Sequence, residues 1–151
     1  MKTGVRVADL MTRKMVTISQ DASLKRAVEL MYKNEVGCLI VKENGKAIGI
    51  VTEEDIVRRG LRLKKGIGNI KMRDIMTSKV IHIEPGKDLL SAIELMKLHN
   101  IRHLPVVEEN KLQGIITSRD ILKINPSLFE TYAEKFELKE ERQKLRKGKR
   151  W

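Results

Sequence analysis

The feature that most constrains this chain is an internal duplication without gaps. Moved along by 65 positions, the sequence falls onto itself. Val7-Ala8-Asp9-Leu10-Met11-Thr12 meets Met72-Arg73-Asp74-Ile75-Met76-Thr77, and Leu24, Ala27, Glu29, Leu30 and Met31 meet Leu89, Ala92, Glu94, Leu95 and Met96. Leu39 and Val41 return as Leu104 and Val106. The segment Gly49-Ile50-Val51-Thr52-Glu53-Glu54-Asp55-Ile56 returns as Gly114-Ile115-Ile116-Thr117-Ser118-Arg119-Asp120-Ile121. A fixed period of this kind marks one supersecondary unit used twice, which buries its apolar faces against a second copy.

Each copy reads as a small α/β unit of the order β-α-β-β-α. In the first, residues 15–18 predict a strand. Asp21 or Ser23 can cap a helix whose apolar stripe is Leu24, Ala27, Leu30 and Met31. Residues 38–42 and 47–51 read as strands joined at Asn44-Gly45, a strong hairpin signal. Residues 53–59 read as a second helix, ended by Gly60. In the second copy the strands fall at 80–83, 103–107 and 112–116, and the helices at 89–99 and 118–123. The expected organisation is repeat 1 over 1–60, a linker over 61–70, repeat 2 over 71–124 and a charged C-terminal helix or tail over 125–151. The two repeats are expected to pack as one module about a pseudo-twofold axis.

Composition narrows the classes. Apolar residues make up 41% of the 151 and aromatic residues only 3%, so the core must be aliphatic. No apolar run is long enough to span a bilayer, the first ten residues lack a signal pattern, and the single cysteine, Cys38, has no partner for an internal disulfide. A cytoplasmic location is the expectation. A net charge of +11 favours anionic partners, whether nucleotides, nucleic acid or acidic protein surfaces.

The sharpest local pattern is Gly-Ile-hydrophobic-Thr-x-x-Asp, at Gly49–Asp55 and again at Gly114–Asp120, where a strand turns into a helix. Thr with an acidic residue three positions later is a capping box. The same turn can also serve a ligand. A helix start offers backbone N–H groups to a phosphate, Thr52 or Thr117 can donate a hydroxyl, and Asp55 or Asp120 can accept from two adjacent ribose hydroxyls. The two readings are compatible.

The whole arrangement resembles a pair of cystathionine-β-synthase (CBS) domains, a Bateman module. The likeness runs from about Val5 to Lys123. It rests on Asp9–Thr12 and Asp74–Thr77, on Arg-His-Leu-Pro-Val-Val at Arg102–Val107, and on both Thr-x-x-Asp turns. The resemblance implies a ligand-sensing regulatory module, with adenine nucleotides (AMP, ADP or ATP) as the commonest ligands and S-adenosylmethionine, NAD-type molecules or nucleic acid as alternatives. It implies clefts between the repeats in which Asp holds the ribose, Thr contacts phosphate and the base lies on aliphatic groups. One site would combine Ile115, Thr117 and Asp120 with Met11 and Val16, and the other Ile50, Thr52 and Asp55 with Met76 and Ile81. Arg102, His103 and Arg119 would add phosphate contacts to the former. The counterparts Gly37, Cys38 and Glu54 would not, so the second-repeat site is expected to bind more tightly. The resemblance also implies a homodimer paired through helices and an unidentified regulated partner.

No nucleophile with an adjacent base, no Gly-rich phosphate loop and no paired carboxylates suited to acid–base work appear, so no catalytic residue is expected and the chain reads as no enzyme. His82, His99 and His103 have no neighbours at metal-ligand spacing, so no metal is expected. After Asn125-Pro126, Leu128, Tyr132, Phe136 and Leu145 fit a helical stripe that Ser127 can cap. Acidic Glu130, Glu134, Glu137, Glu140 and Glu141 come first and basic Arg142 to Arg150 last, as the helix dipole favours. This tail is either a packing helix or a basic arm for nucleic acid.

Overall fold

The computed structural model describes residues 2–128 and 130. The tail calls at Tyr132, Phe136 and Leu145 and the basic run from Arg142 lie outside these residues. In chain order the elements are α1 (Val7–Leu10), β1 (Thr17–Ser19), α2 (Leu24–Asn34), β2 (Cys38–Glu43), β3 (Lys46–Thr52), α3 (Glu53–Asp55), a π-turn (Ile56–Gly60), α4 (Met72–Ile75), α5 (Leu89–His99), β4 (His103–Glu108), β5 (Lys111–Thr117) and α6 (Ser118–Ile124). This is the mixed α/β content that the patterning predicts.

The described residues form two compact units. One spans Arg13–His82; the other joins the residues up to Thr12 to those from Ile83 onward. Each unit therefore takes its opening segment from the other sequence copy. The first-repeat unit contains α4, and the second-repeat unit contains α1. Identical hydrogen bonds seat the two segments. The Met72 N–H donates to the Ala22 carbonyl at 3.0 Å and the Arg73 N–H to Gln20 at 3.0 Å; 65 positions away the Val7 N–H donates to Lys87 at 2.9 Å and the Ala8 N–H to Pro85 at 2.9 Å. Both short helices start with an acidic side chain folded back on the chain before them. Asp9 Oδ2 accepts the Arg6 N–H at 3.0 Å, and Asp74 Oδ2 accepts the Lys71 N–H at 2.9 Å. An acceptor at the third helical position satisfies a donor that has no intrahelical partner.

Within the first-repeat unit, β2 runs parallel to β1 and antiparallel to β3. The Asn44-Gly45 turn takes left-handed φ values of 48° and 76° at its two centre residues, as a twisted two-residue hairpin requires. Ser23 rather than Asp21 caps α2, accepting from the Arg26 N–H at 3.1 Å. The core is aliphatic: Leu24, Ala27 and Met31 of α2 pack with Leu39, Val41, Val51, Ile70, Met72 and Ile75. Ile70, read from sequence as the end of a linker, is a core residue, 1% exposed. The second-repeat unit has the β4–β5 hairpin in the same register, with its irregularity at the equivalent place. Its buried residues include Val7, Leu89, Ala92, Met96, Leu104, Val106 and Ile116.

Four sequence expectations are corrected. The strand placed at 15–18 lies at Thr17–Ser19. The strand placed at 80–83 is reduced to a single parallel bridge, Ile83 with Val106. Proline explains the loss. In the first repeat the Ile40 N–H donates to the Val16 carbonyl at 3.0 Å; the residue 65 positions on from Ile40 is Pro105, which has no N–H to give. The helix placed at 53–59 is one α-turn followed by a π-turn, with the Leu61 N–H reaching the Ile56 carbonyl at 3.0 Å. Gly60 does not end it in a left-handed conformation. A Cβ there would meet Leu24 Cδ1 at 2.5 Å, so the glycine leaves space for a core side chain. At the start of the tail the backbone N–H of Leu128 donates to Asn125 Oδ1 at 3.3 Å; the helix that Ser127 is expected to cap lies for the most part outside the described residues.

Candidate functional site

The Thr-x-x-Asp turns fold into reciprocal caps. In the second-repeat unit the Asp120 N–H donates to Thr117 Oγ1 at 3.2 Å. Asp120 Oδ2 accepts both the Thr117 N–H and the Thr117 hydroxyl, each at 2.9 Å. In the first-repeat unit Asp55 and Thr52 repeat this at 3.2, 2.9 and 3.1 Å. The next helix donor is also engaged: the Ser118 N–H reaches the Arg102 carbonyl, and the Glu53 N–H reaches Gly37, both at 3.0 Å. The capping box predicted from spacing is thus formed in both copies. The cap bonds use Oδ2 of each carboxylate and leave Oδ1 outside the cap. Among the described residues, no cation is paired with Asp120.

The glycine that opens each motif has a packing role that the pattern did not disclose. A Cβ on Gly114 would lie 2.7 Å from the Thr12 carbonyl oxygen and 3.1 Å from Met11 Sδ; on Gly49 it would meet the Thr77 carbonyl oxygen at 2.8 Å and Met76 Sδ at 3.1 Å. The opening segment lies flat on the strand there. Thr12 exchanges backbone hydrogen bonds with Ile115 at 2.8 and 2.9 Å, and Thr77 with Ile50 at 2.9 and 3.0 Å. Met11 and Met76 are carried to the motif in this way.

Among the residues proposed from sequence, Met11, Arg102, His103, Ile115, Thr117, Arg119 and Asp120 all fall in the second-repeat unit. His103 pairs across the hairpin with Thr117, Arg102 and Arg119 are exposed, and Ile115 is buried. Val16 belongs to the other unit, where it packs against the aliphatic core. Ile50, Thr52, Asp55, Met76 and Ile81 all fall in the first-repeat unit, with Ile81 half-buried. Cys38 occupies the place of His103, paired with Thr52. Burial, with a smaller contribution from the Glu53 charge, pushes its thiol up to about 12, so it is protonated at neutral pH and a poor nucleophile. Glu54, opposite Arg119 in the repeat, is paired with Arg58 at 3.2 Å.

Among the described residues, no helix is long and apolar enough to cross a membrane, and no group of three His, Cys, Asp or Glu side chains is placed to hold a metal ion.

Fold and turns together define a duplicated α/β module with a Thr–Asp cap at the same point of each copy. The CBS domain family model matches residues 7–62 and again 72–126, and the chain belongs to the CBS-domain family as a tandem pair, generally a regulatory ligand-binding module. It is similar to an uncharacterized protein of Methanopyrus kandleri, 37% identical over 136 residues, which cover 87% of this chain and 68% of that one. A homoserine O-acetyltransferase of Methanococcoides burtonii is 40% identical over 124 residues, 81% of this chain but only 24% of the enzyme. Some relatives thus carry such a module beside a catalytic domain, and no catalytic domain is matched here. Among solved structures, an uncharacterized conserved protein from Pyrococcus horikoshii superposes with a TM-score of 0.76 at 30% identity, over 82% of this chain and 93% of that one. A hexameric CBS-CP12 protein from bloom-forming cyanobacteria does so with a TM-score of 0.73 at 29% identity, over 80% and 72%.

Proposed function

We propose that this chain is a sensor of adenosine-containing nucleotides, of the AMP, ADP or ATP type, which it binds without turning them over. One observation carries the reading. Asp120 Oδ1 is a carboxylate oxygen without a cation partner among the described residues, in the same unit as the basic Arg102 and Arg119 and the aliphatic Met11 and Ile115. Two adjacent ribose hydroxyls donate well to such an oxygen, guanidinium groups suit phosphate, and aliphatic side chains suit a base. Thr117 and His103 complete the proposed set within this unit. Thr52, Asp55, Ile50, Met76 and Ile81 form the weaker counterpart, because acidic Glu53 and Glu54 stand where the second copy has Ser118 and Arg119. A ligand acts on a partner protein through its different affinity for two states of the module. A single cysteine, with no partner for an internal disulfide, suits a cytosolic protein.

Titration calorimetry with AMP, ADP, ATP and S-adenosylmethionine tests this. Asp120→Ala is expected to cost roughly 1.5–3 kcal/mol, the value of a hydrogen bond to a charged group, and Asp55→Ala less. If no adenosine compound binds or raises the melting temperature, the reading fails.

A homodimer is part of the proposal. On α2, Val28 and Tyr32 stand one helical turn apart at 45% and 87% exposure, and on α5 Leu98 is 72% exposed. Burying such residues in a second copy is favourable. Sedimentation of Tyr32→Glu should show a monomer where the unaltered chain shows a dimer; a monomer in both discards this part.

A further inference from the structure

The two carboxylates of the repeated motif differ in one contact that the motif itself does not contain. From the π-turn, Arg59 extends back over its own unit. Its Nε lies 3.7 Å from Asp55 Oδ1. Its Nη1 lies 3.3 Å from the Ile75 carbonyl oxygen, 3.4 Å from that of Met76 and 3.4 Å from Thr77 Oγ1. Oδ2 of Asp55 is held by the Thr52 cap, so both oxygens of this carboxylate are engaged. The position 65 residues on from Arg59 is Ile124, an exposed aliphatic at the end of the regular helix α6. Nothing equivalent can reach Asp120 from there.

We propose that Arg59 is the specificity-determining residue of the first-repeat site: its guanidinium occupies the acceptor that a ribosyl ligand needs, and so closes this site to ligands that the Asp120 site admits. The inference rests on the nucleotide reading above and supplies a reason, separate from Glu53 and Glu54, for the inequality of the two sites. A neutral diol at Asp55 has to displace the cation of an ion pair, at 3.7 Å, before it can use the oxygen, and the Coulomb attraction lost is not replaced by a neutral donor. The cost of release is shared with the end of α4, because the guanidinium that would leave Asp55 also presents Nη1 to the carbonyl oxygens of Ile75 and Met76. Ligand capture at Asp55 therefore requires the opening segment of the second repeat to lose a donor. An equilibrium in which the competent form is the minor one lowers apparent affinity by its fraction.

The test is AMP calorimetry on full-length protein carrying Asp120→Asn, which leaves only the first-repeat site, with and without Arg59→Ile. A second variant, Arg59→Gln, keeps an N–H donor for the carbonyl oxygens while removing the charge at Asp55, and it decides the matter if Arg59→Ile does not fold. The expected result is AMP binding about tenfold tighter or more in either Arg59 variant, the size expected when a closed majority state is removed. Equal or weaker binding in folded Arg59→Gln overturns the proposal. AMP binding at Asp120 in the unaltered chain with no gain from Arg59 substitution sinks the Arg59 assignment alone. An unaltered chain that takes up no AMP sinks the nucleotide reading and this inference with it.

Discussion

At the scale of single residues, carboxylates carry most of the information in this chain, and their surroundings assign them different work. Asp120 and Asp55 share one cap geometry but differ at the second oxygen. Asp88 is a third case. It caps α5 and also receives the N-terminal residues: its oxygens accept from the Leu90 N–H at 2.9 Å, from the Thr3 N–H and hydroxyl at 3.0 Å each, and from the Gly4 N–H at 3.0 Å. The Leu90 amide first, then Thr3 and Gly4, hold its carboxyl down to about 2 although partial desolvation pulls the other way. A carboxylate depressed on folding contributes stability above its unfolded value, near 3.8, and that contribution is lost as pH falls through about 2. Asp88→Asn should therefore melt below the unaltered chain at neutral pH. The gap should close as pH falls from about 4 towards 2; a gap independent of pH would show that charge plays no part.

At the scale of elements, the decisive contact is the opening segment laid across a glycine. Gly114→Ala places a methyl group against the Thr12 carbonyl, a backbone atom that cannot swing aside. Overpacking of this kind costs roughly 1–3 kcal/mol, and the two Thr12–Ile115 hydrogen bonds should weaken with it. Chemical denaturation would measure the loss, and Gly49→Ala should cost a similar amount through Thr77. Gly60→Ala is the comparison: its clash is with the far end of the Leu24 side chain rather than with backbone, so it should cost less than either. A larger loss at Gly60 than at Gly114 would show the ranking to be wrong.

Much of this level was legible in advance. The helix at residues 89–99 and both hairpins follow from apolar spacing and turn residues. The π-turn was not, because it depends on how the chain leaves the Thr52 cap beneath Leu24. Nor was the missing strand before Glu84, because proline's lack of a donor matters only once the strand pairing is known. The site was legible as residue types: Thr52, Asp55, Thr117 and Asp120 repeat in register. The partnership of Asp55 with Arg59 was not, although the replacement of Arg59 by Ile124 between the copies was visible as an asymmetry.

At the scale of the molecule, each unit is completed by a segment that precedes the other repeat in sequence. Val7 is fully buried in the second-repeat unit, and Met72 is fully buried in the first. Removing residues 2–12 should thus harm the distant repeat rather than the adjacent one. Hydrogen-exchange mass spectrometry is expected to show lost protection at Leu89, whose N–H donates to the Val5 carbonyl at 2.9 Å, and at Ile115. The β2–β3 hairpin should keep its protection. Loss confined to that hairpin would contradict the exchanged arrangement.

The sequence by itself determined that there are two copies, where their hairpins and long helices lie, and that a Thr–Asp cap closes the last strand of each. These depend on contacts between near neighbours, so spacing along the chain reveals them. Only the tertiary structure decided which copy receives which opening segment, why a glycine must stand before each motif, and which of the two aspartates is already paired. Those outcomes depend on groups many residues apart meeting within a few ångströms, and the repeat, being the same in both copies, is silent about the exchange.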